Sequence, residues 1–151
     1  MNITDIVNIN MIKLDLEAKD KGEVIEKLAC ILEEEGRLND KELYVNDVLN
    51  REKESTTGVG RLVAIPHGKS DGVKETSIAF ARMKGGVEWE SLDGQPVKIV
   101  FLLAVQKQDA CNTHLRILSK IAMSLMEDDF IEGLLSANNE EEILNLISKI
   151  D

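Results

Sequence analysis

The sequence predicts a single α/β sandwich, and three observations predict it. Apolar stretches of strand length alternate with stretches whose apolar residues recur at helical spacing. Helical patterns stand towards both ends of the chain, with strand patterns interleaved between them. One segment, Val97 to Val105, is almost wholly apolar, which suits a strand at the centre of a sheet covered on both faces.

Each element has its own signal. Asn10 to Leu16 alternates apolar and polar residues, the pattern of a half-buried strand. Asp20 with Glu23 forms a capping pair, and Val24, Ile25, Leu28, Ile31 and Leu32 then follow at helical spacing until Gly36. Asn39 with Glu42 starts a second helix, which carries Leu43, Val45, Val48 and Leu49 towards Arg51. Ser55 to Gly60 is a polar, glycine-containing loop, and Arg61 to Ile65 is a strand that leads to His67. Ser77 to Met83 is a further strand, with turns expected at Gly85-Gly86 and at Asp93-Gly94 before the Val97 to Val105 strand. Asp109 is expected to cap a long helix that turns Leu115, Leu118, Ile121, Ala122 and Leu125 inward. Two shorter helices follow, at about Asp128 to Leu135 and Asn139 to Ile150. No internal repeat or low-complexity linker interrupts the 151 residues, so one domain is expected over 1–151.

Composition narrows the function. Apolar residues make up 43% of the chain and charged residues 30%, while aromatics number only one Trp, one Tyr and three Phe. The core is therefore aliphatic. With 18 basic and 28 acidic side chains the net charge is −10, which argues against a nucleic-acid partner, because phosphate backbones need a basic surface. The acidic runs Glu33-Glu34-Glu35, Glu127-Asp128-Asp129 and Glu140-Glu141-Glu142 read as solvated helix ends and faces. A local phosphate site and a basic protein partner both remain compatible with this balance. Cys30 and Cys111 lack metal-ligand spacing and fit a reducing compartment. The N-terminus has no basic region followed by an apolar stretch, and the longest apolar run, Ile99 to Val105, is strand-sized. A cytoplasmic protein with no direct membrane insertion is expected.

Several familiar chemistries fail on the residues. Gly58-Val59-Gly60 lacks the third glycine of a dinucleotide loop, since Val63 stands there. There is no phosphate loop ending in Gly-Lys-Ser/Thr and no Gly-x-Ser-x-Gly elbow. His67, Ser70 and Asp71 lie too close together for a convincing triad, and no paired histidines have the helical spacing of a zinc site.

A sparse set remains. His67 is one of two histidines and lies between Pro66 and Gly68, a setting that suggests a side chain presented at a strand end. An imidazole can exchange a phosphoryl group through one nitrogen while the protein holds the other. Arg51 precedes the loop, and its planar guanidinium can grip two phosphoryl oxygens. His114 lies in the first turn or so of the long helix, where the dipole favours an anion. The loop itself offers Ser55, Thr56, Thr57, Gly58 and Gly60 as hydroxyls and unhindered amides. If these pieces meet, they make a small cationic pocket on an acidic protein. Each also has a plainer reading. His114 can sit at the core edge, Arg51 can serve its helix C-terminus, and Thr56 and Thr57 can merely cap or turn. Cys111, near a helix start, is more simply a packed or incidental thiol, and Trp89 with Leu92 reads as a packing anchor.

The stretch Thr57-Gly58-Val59-Gly60-Arg61-Leu62-Val63-Ala64-Ile65-Pro66-His67-Gly68-Lys69 closely resembles the active-site signature of phosphotransferase-system (PTS) enzyme IIA domains of the fructose/mannitol family, EIIA type-2. Arg51-Glu52, Val87-Glu88-Trp89, Leu92-Asp93-Gly94, Val97 to Val105 and His114-Leu115-Arg116-Ile117-Leu118 extend the resemblance over essentially the whole chain, most like the fructose-specific group. It departs at Gln106, where many relatives carry proline. The resemblance implies a mixed β-sheet flanked by helices on both faces. It implies that His67 accepts a phosphoryl group, on its tele nitrogen, from the phosphocarrier protein HPr and passes it to a cysteine of a matching enzyme IIB, which serves a membrane enzyme IIC. By the same resemblance Arg51 and His114 steady the phosphoryl group, Thr56, Thr57 and Gly58 line its pocket, and no metal or bound cofactor takes part. A nitrogen-type enzyme IIA, which signals through its phosphorylation state, uses the same His67 chemistry. With no IIB-type or membrane segment in the sequence, separate partner proteins are expected.

Overall fold

The computed structural model describes residues 3–108 and 112–150. Two short 3-10 turns, Ile3–Asp5 and Ile9–Met11, lead into strand β1, Ile12–Leu16. Helix α1 spans Lys21–Glu34 and begins where the Asp20 side chain accepts the Glu23 N–H. That bond satisfies one of the amides that every helix start leaves unpaired. Gly36, at φ 72°, turns the chain away from α1. Helix α2 spans Lys41–Glu54 and starts one residue later than expected: the Asp40 side chain, not that of Asn39, accepts the Leu43 N–H at 3.1 Å.

Strands β2 (Gly58–Gly60), β3 (Val63–Ala64), β4 (His67–Ser70), β5 (Ser77–Val87) and β6 (Val97–Gln106) follow, and then helices α3 (Thr113–Ser124), α4 (Asp128–Ser136) and α5 (Glu140–Ser148). The expected cap Asp109 and the thiol of Cys111 lie outside the described residues. The six strands form one mixed sheet in the order β1-β5-β6-β3-β2, with β4 also paired to β6. β6 runs antiparallel to β5 and parallel to both β3 and β4, while β1 runs parallel to β5.

Ile78 to Ala81 in β5 and Ile99 to Val105 in β6 are buried without a break. Side chains on a strand point alternately to opposite faces, so unbroken burial means that both faces are covered. Helices α1 and α2 pack together and reach β5 and β4, α5 packs on β1, and α3 on β6. Phe80 and Phe101 meet edge to face at the centre, with ring centroids 5.2 Å apart.

Three local expectations are corrected. Gly85-Gly86 is not a turn but lies inside β5, where the register against β6 shifts between Arg82 and Val87. A Cβ on Gly86 would come within 2.8 Å of the Pro96 ring, so the residue allows a close approach at this irregularity. Arg61 and Leu62 are not strand: both have positive φ (56° and 72°) and form the tight turn between the antiparallel β2 and β3. The Asp93 carboxylate accepts the Arg61 N–H at 3.0 Å and so helps hold that turn. Trp89 is fully buried, but Leu92 is 78% exposed, so the anchor is the tryptophan alone.

Candidate functional site

The chain that delivers His67 is one strand interrupted by a proline. Val63 and Ala64 of β3 pair with Ile99 and Val100, and His67 to Ser70 of β4 pair with Leu103 to Gln106. The offset between partners is the same before and after Ile65-Pro66. Register therefore survives the break, because Pro66 lacks an N–H but its carbonyl still accepts the Leu103 N–H at 3.0 Å. His67 is thus the first residue of β4, not a residue beyond a strand end. Gly68 also has a different role from the one expected. Its use is absence of bulk: a Cβ there would lie 2.7 Å from Val48 Cγ2 and 3.2 Å from the Val48 nitrogen on α2. The helix that carries Arg51 is drawn close against the strand that carries His67. Tyr44, fully buried on α2, completes the join by donating its hydroxyl to the Leu103 carbonyl at 2.7 Å.

His67, Arg51 and His114 line one open concavity of about 430 Å³, together with Asp47, Asn50, Glu54, Gly68 and Lys69. Arg51 reaches it from the last turn of α2, where it also donates to the Ser55 carbonyl at 2.9 Å, as its helix-end reading expects. His114 reaches it from the second position of α3. Lys69 was not singled out, yet the two-residue period of a strand puts it on the same face as His67. The lining is less cationic than Arg51 and the two histidines alone suggest, because Asp47 and Glu54 stand beside Arg51 and Lys69.

The His67 ring is half-buried, and its Nδ1 lies 2.9 Å from the Ile65 carbonyl oxygen. A carbonyl only accepts, so Nδ1 carries the proton in the neutral ring and Nε2 keeps its lone pair. Burial lowers the affinity of the ring for a second proton, and the charges of Arg51 and His114 lower it further. The Ile65 carbonyl and the Glu52 carboxylate push the other way, with a net fall below the ordinary histidine value.

Thr56, Thr57 and Gly58 do not line this concavity. The Thr56 hydroxyl donates to the Trp89 carbonyl at 2.8 Å and accepts the Gly58 N–H at 3.1 Å. Thr57 is buried, its hydroxyl donating to Glu52 and accepting from the Trp89 indole at 3.1 Å. A Cβ on Gly58 would come within 2.5 Å of the Ser91 hydroxyl. The Thr56 and Thr57 hydroxyls, expected to be offered to an oxyanion, are engaged with Trp89 and Glu52. From sequence, Glu52 enters only as part of the Arg51-Glu52 match in the family resemblance, with no role of its own. Among the described residues, no group of three or more His, Cys, Asp or Glu side chains is placed to hold a metal ion.

The sequence model of "Phosphoenolpyruvate-dependent sugar phosphotransferase system, EIIA 2" matches residues 5–150. The chain belongs to this EIIA family. As a member, it is a phosphoryl-transfer component of a phosphotransferase system. Among curated relatives, the fructose-specific EIIABC component of Bacillus subtilis is 42% identical over the whole of this chain, which spans 24% of that protein. The fructose-specific EIIA component of Haloferax volcanii is 34% identical, over 99% of each chain. Among solved EIIA structures, the nitrogen regulatory protein IIA-Ntr of Neisseria meningitidis superposes with a TM-score of 0.84 at 31% identity, over 96% of this chain and 98% of that one. Enzyme IIAMtl of Escherichia coli, solved in complex with phosphorylated enzyme IIBMtl, superposes with a TM-score of 0.80 at 25% identity, over 94% and 96%. The mixed sheet of this EIIA is therefore the family fold. No helix among its described residues is long and apolar enough to cross a membrane.

Proposed function

We propose that this EIIA is a cytoplasmic phosphoryl carrier that takes its group from phospho-HPr on Nε2 of His67 and gives it to a cysteine of a matching enzyme IIB, for uptake of fructose or a related sugar through a membrane enzyme IIC. The observation that carries the reading is the bond between Nδ1 and the Ile65 carbonyl, which leaves the Nε2 lone pair for attack. In the first step that lone pair forms a new P–N bond while the donor's P–N bond breaks. The released pair returns to the donor imidazole. The accepting ring then bears phosphorus on Nε2 and the proton on Nδ1, and its positive charge faces the Ile65 carbonyl. In the second step a thiolate of the next protein attacks phosphorus, the P–Nε2 bond breaks, and its pair returns to Nε2.

Such transfers depend on positioning and on charge placed around the moving group. Arg51 offers a forked pair of N–H donors to the equatorial oxygens, and His114 and Lys69 stand on the same rim. The balance of Arg51 and Lys69 against Asp47 and Glu54 suits a relay, since a strongly cationic pocket would retain the group it must pass on. The fructose assignment rests on the two fructose-specific relatives, and IIB as the acceptor is supported by the IIAMtl–IIBMtl complex. The likeness to IIA-Ntr supports a second reading, a regulatory EIIA that uses the same His67 step to signal.

Labelled phospho-HPr tests the first step. Acid-labile, base-stable label is expected on the wild-type chain and none on His67→Ala; stable labelling of that variant overturns the assignment. A panel of IIB proteins separates the two readings, because a transport EIIA passes label rapidly to one of them and a regulatory EIIA to none.

A further inference from the structure

The buried carboxylate of Glu52 is the group that the relay chemistry leaves unexplained. Its side chain is 4% exposed, although it neighbours a site open to solvent. A buried carboxylate is costly unless it is hydrogen-bonded, and this one is. It accepts from the Thr57 hydroxyl, from the Thr57 N–H at 3.4 Å and from the Trp89 indole N–H at 3.4 Å, and it pairs with Lys21 of α1 at 3.5 Å. These partners come from three separate parts of the chain. The carboxylate is where the end of α2, the start of the loop and the segment after β5 are tied together.

From there a short path leads to the reacting ring. Thr57, held at both its N–H and its hydroxyl by Glu52, accepts the Ile65 N–H on its carbonyl at 3.0 Å. Ile65 in turn presents its own carbonyl to His67 Nδ1 at 2.9 Å. The next residue is Pro66, so Ile65 sits where the β3–β4 strand breaks its ladder and where the sheet alone fixes its carbonyl least. Without an outside hold, that carbonyl is free to tilt, and the ring is free to place its proton on either nitrogen.

We propose that Glu52 is a positioning residue: through Thr57 it fixes the Ile65 carbonyl that keeps the His67 proton on Nδ1 and so presents Nε2 to the phosphoryl group. The inference rests on the relay reading only for the identity of the transferred group. The charged or titratable groups that line the concavity with His67 are Arg51, Asp47 and Glu54 of α2, Lys69 of β4 and His114 of α3, and the Glu52 carboxylate, outside that lining, acts on the ring through its charge. The same negative charge has a use after transfer, when the ring bears phosphorus on Nε2 and a positive charge.

Nitrogen NMR of the His67 ring tests this with no phosphoryl donor present, so its outcome is separate from that of the labelling experiment. Wild type is expected to show the Nδ1–H tautomer alone. Thr57→Val keeps the shape but removes the hydroxyl link, and Glu52→Gln keeps the volume but removes the charge. A mixed tautomer is expected in Thr57→Val, with restoration in Thr57→Ser. In Glu52→Gln the ring is expected to titrate at lower pH than in wild type, because a charge favouring its protonated form is gone. With donor added, Thr57→Val is expected to accept label about 10- to 100-fold more slowly, and Thr57→Ser at nearly the wild-type rate. An unchanged tautomer in Thr57→Val overturns the proposal, whatever the titration of Glu52→Gln. So does loss of the folded amide spectrum in both variants, since Glu52 would then be needed for folding and not for the ring.

Discussion

His67 has two nitrogens with different duties, and its surroundings act on both. The Ile65 carbonyl accepts a hydrogen bond from Nδ1–H, while burial and the charges of Arg51 and His114 oppose a second proton. In the proposed transfer only the neutral ring attacks, so the sign of the pH dependence follows. Acceptance of label from phospho-HPr is expected to rise with pH through a midpoint below 6.5 and then level off, whereas an unperturbed histidine titrates at that value. In Arg51→Ala one of the lowering charges is absent, so the midpoint is expected to move up. A rate series between acidic and neutral pH, run on both proteins, measures this. The plateau rate of Arg51→Ala is expected to fall on the order of a hundredfold, because a donor to the developing phosphoryl charge is lost. Onward transfer in His114→Ala is expected to slow with the fold intact. These three residues were legible in the sequence because a lone histidine between Pro and Gly, an arginine before a polar loop and a histidine at a helix start each suggest a role. Glu52 and Lys69 were not, since a buried carboxylate and a same-face lysine acquire meaning only from their neighbours.

At the scale of elements, the join between α2 and β4 sets the site. Gly68 lets Val48 approach to a distance that no side chain allows, and Tyr44 pins the same helix to Leu103, the register partner of His67. Gly68→Ala is therefore expected to cost about 1–3 kcal/mol of stability, as overpacking does. Thermal denaturation measures it, and an unchanged melting temperature would mean that α2 yields freely. Because the forced gap also separates Arg51 from His67, label acceptance is expected to fall in the same variant under conditions where it remains folded. The strand itself was read from sequence as ending before His67. The structure continues it, because a parallel neighbour such as β6 can bond to the Pro66 carbonyl on one side of the missing N–H. Local pattern shows a break at a proline but not whether the register resumes beyond it.

For the whole molecule, one side chain ties the end of α4 to the sheet. Arg82 of β5 donates to the carbonyls of Leu134 at 3.0 Å, Leu135 at 3.3 Å and Ala137 at 2.7 Å, groups that the end of α4 leaves without helical partners. Arg82→Ala is expected to lose about 1–3 kcal/mol of stability, since partly buried acceptors are left unmet. Denaturant titration measures the loss. His67 pairs with β6 on the edge opposite to β5, so the folded fraction of this variant is expected to accept label at the wild-type rate. A site defect in Arg82→Ala would show that the sheet transmits strain from one edge to the other.

By itself the sequence determined the α/β class and most of the helix and strand pattern, and it singled out His67, Arg51 and His114 as candidates whose proposed roles come from the family resemblance. The elements follow from periodicity and capping residues, and the candidates from side-chain chemistry, all of which are local. The tertiary structure decided what the local pattern leaves open: that Gly68 serves packing, that the Thr56 and Thr57 hydroxyls are engaged with Trp89 and Glu52, and that Asp47 and Glu54 share the pocket with Arg51 and Lys69. Each of these depends on residues distant in sequence, as Trp89 is from Glu52 and Leu103 from Tyr44, and such meetings are fixed only when the sheet and its helices close around a common core.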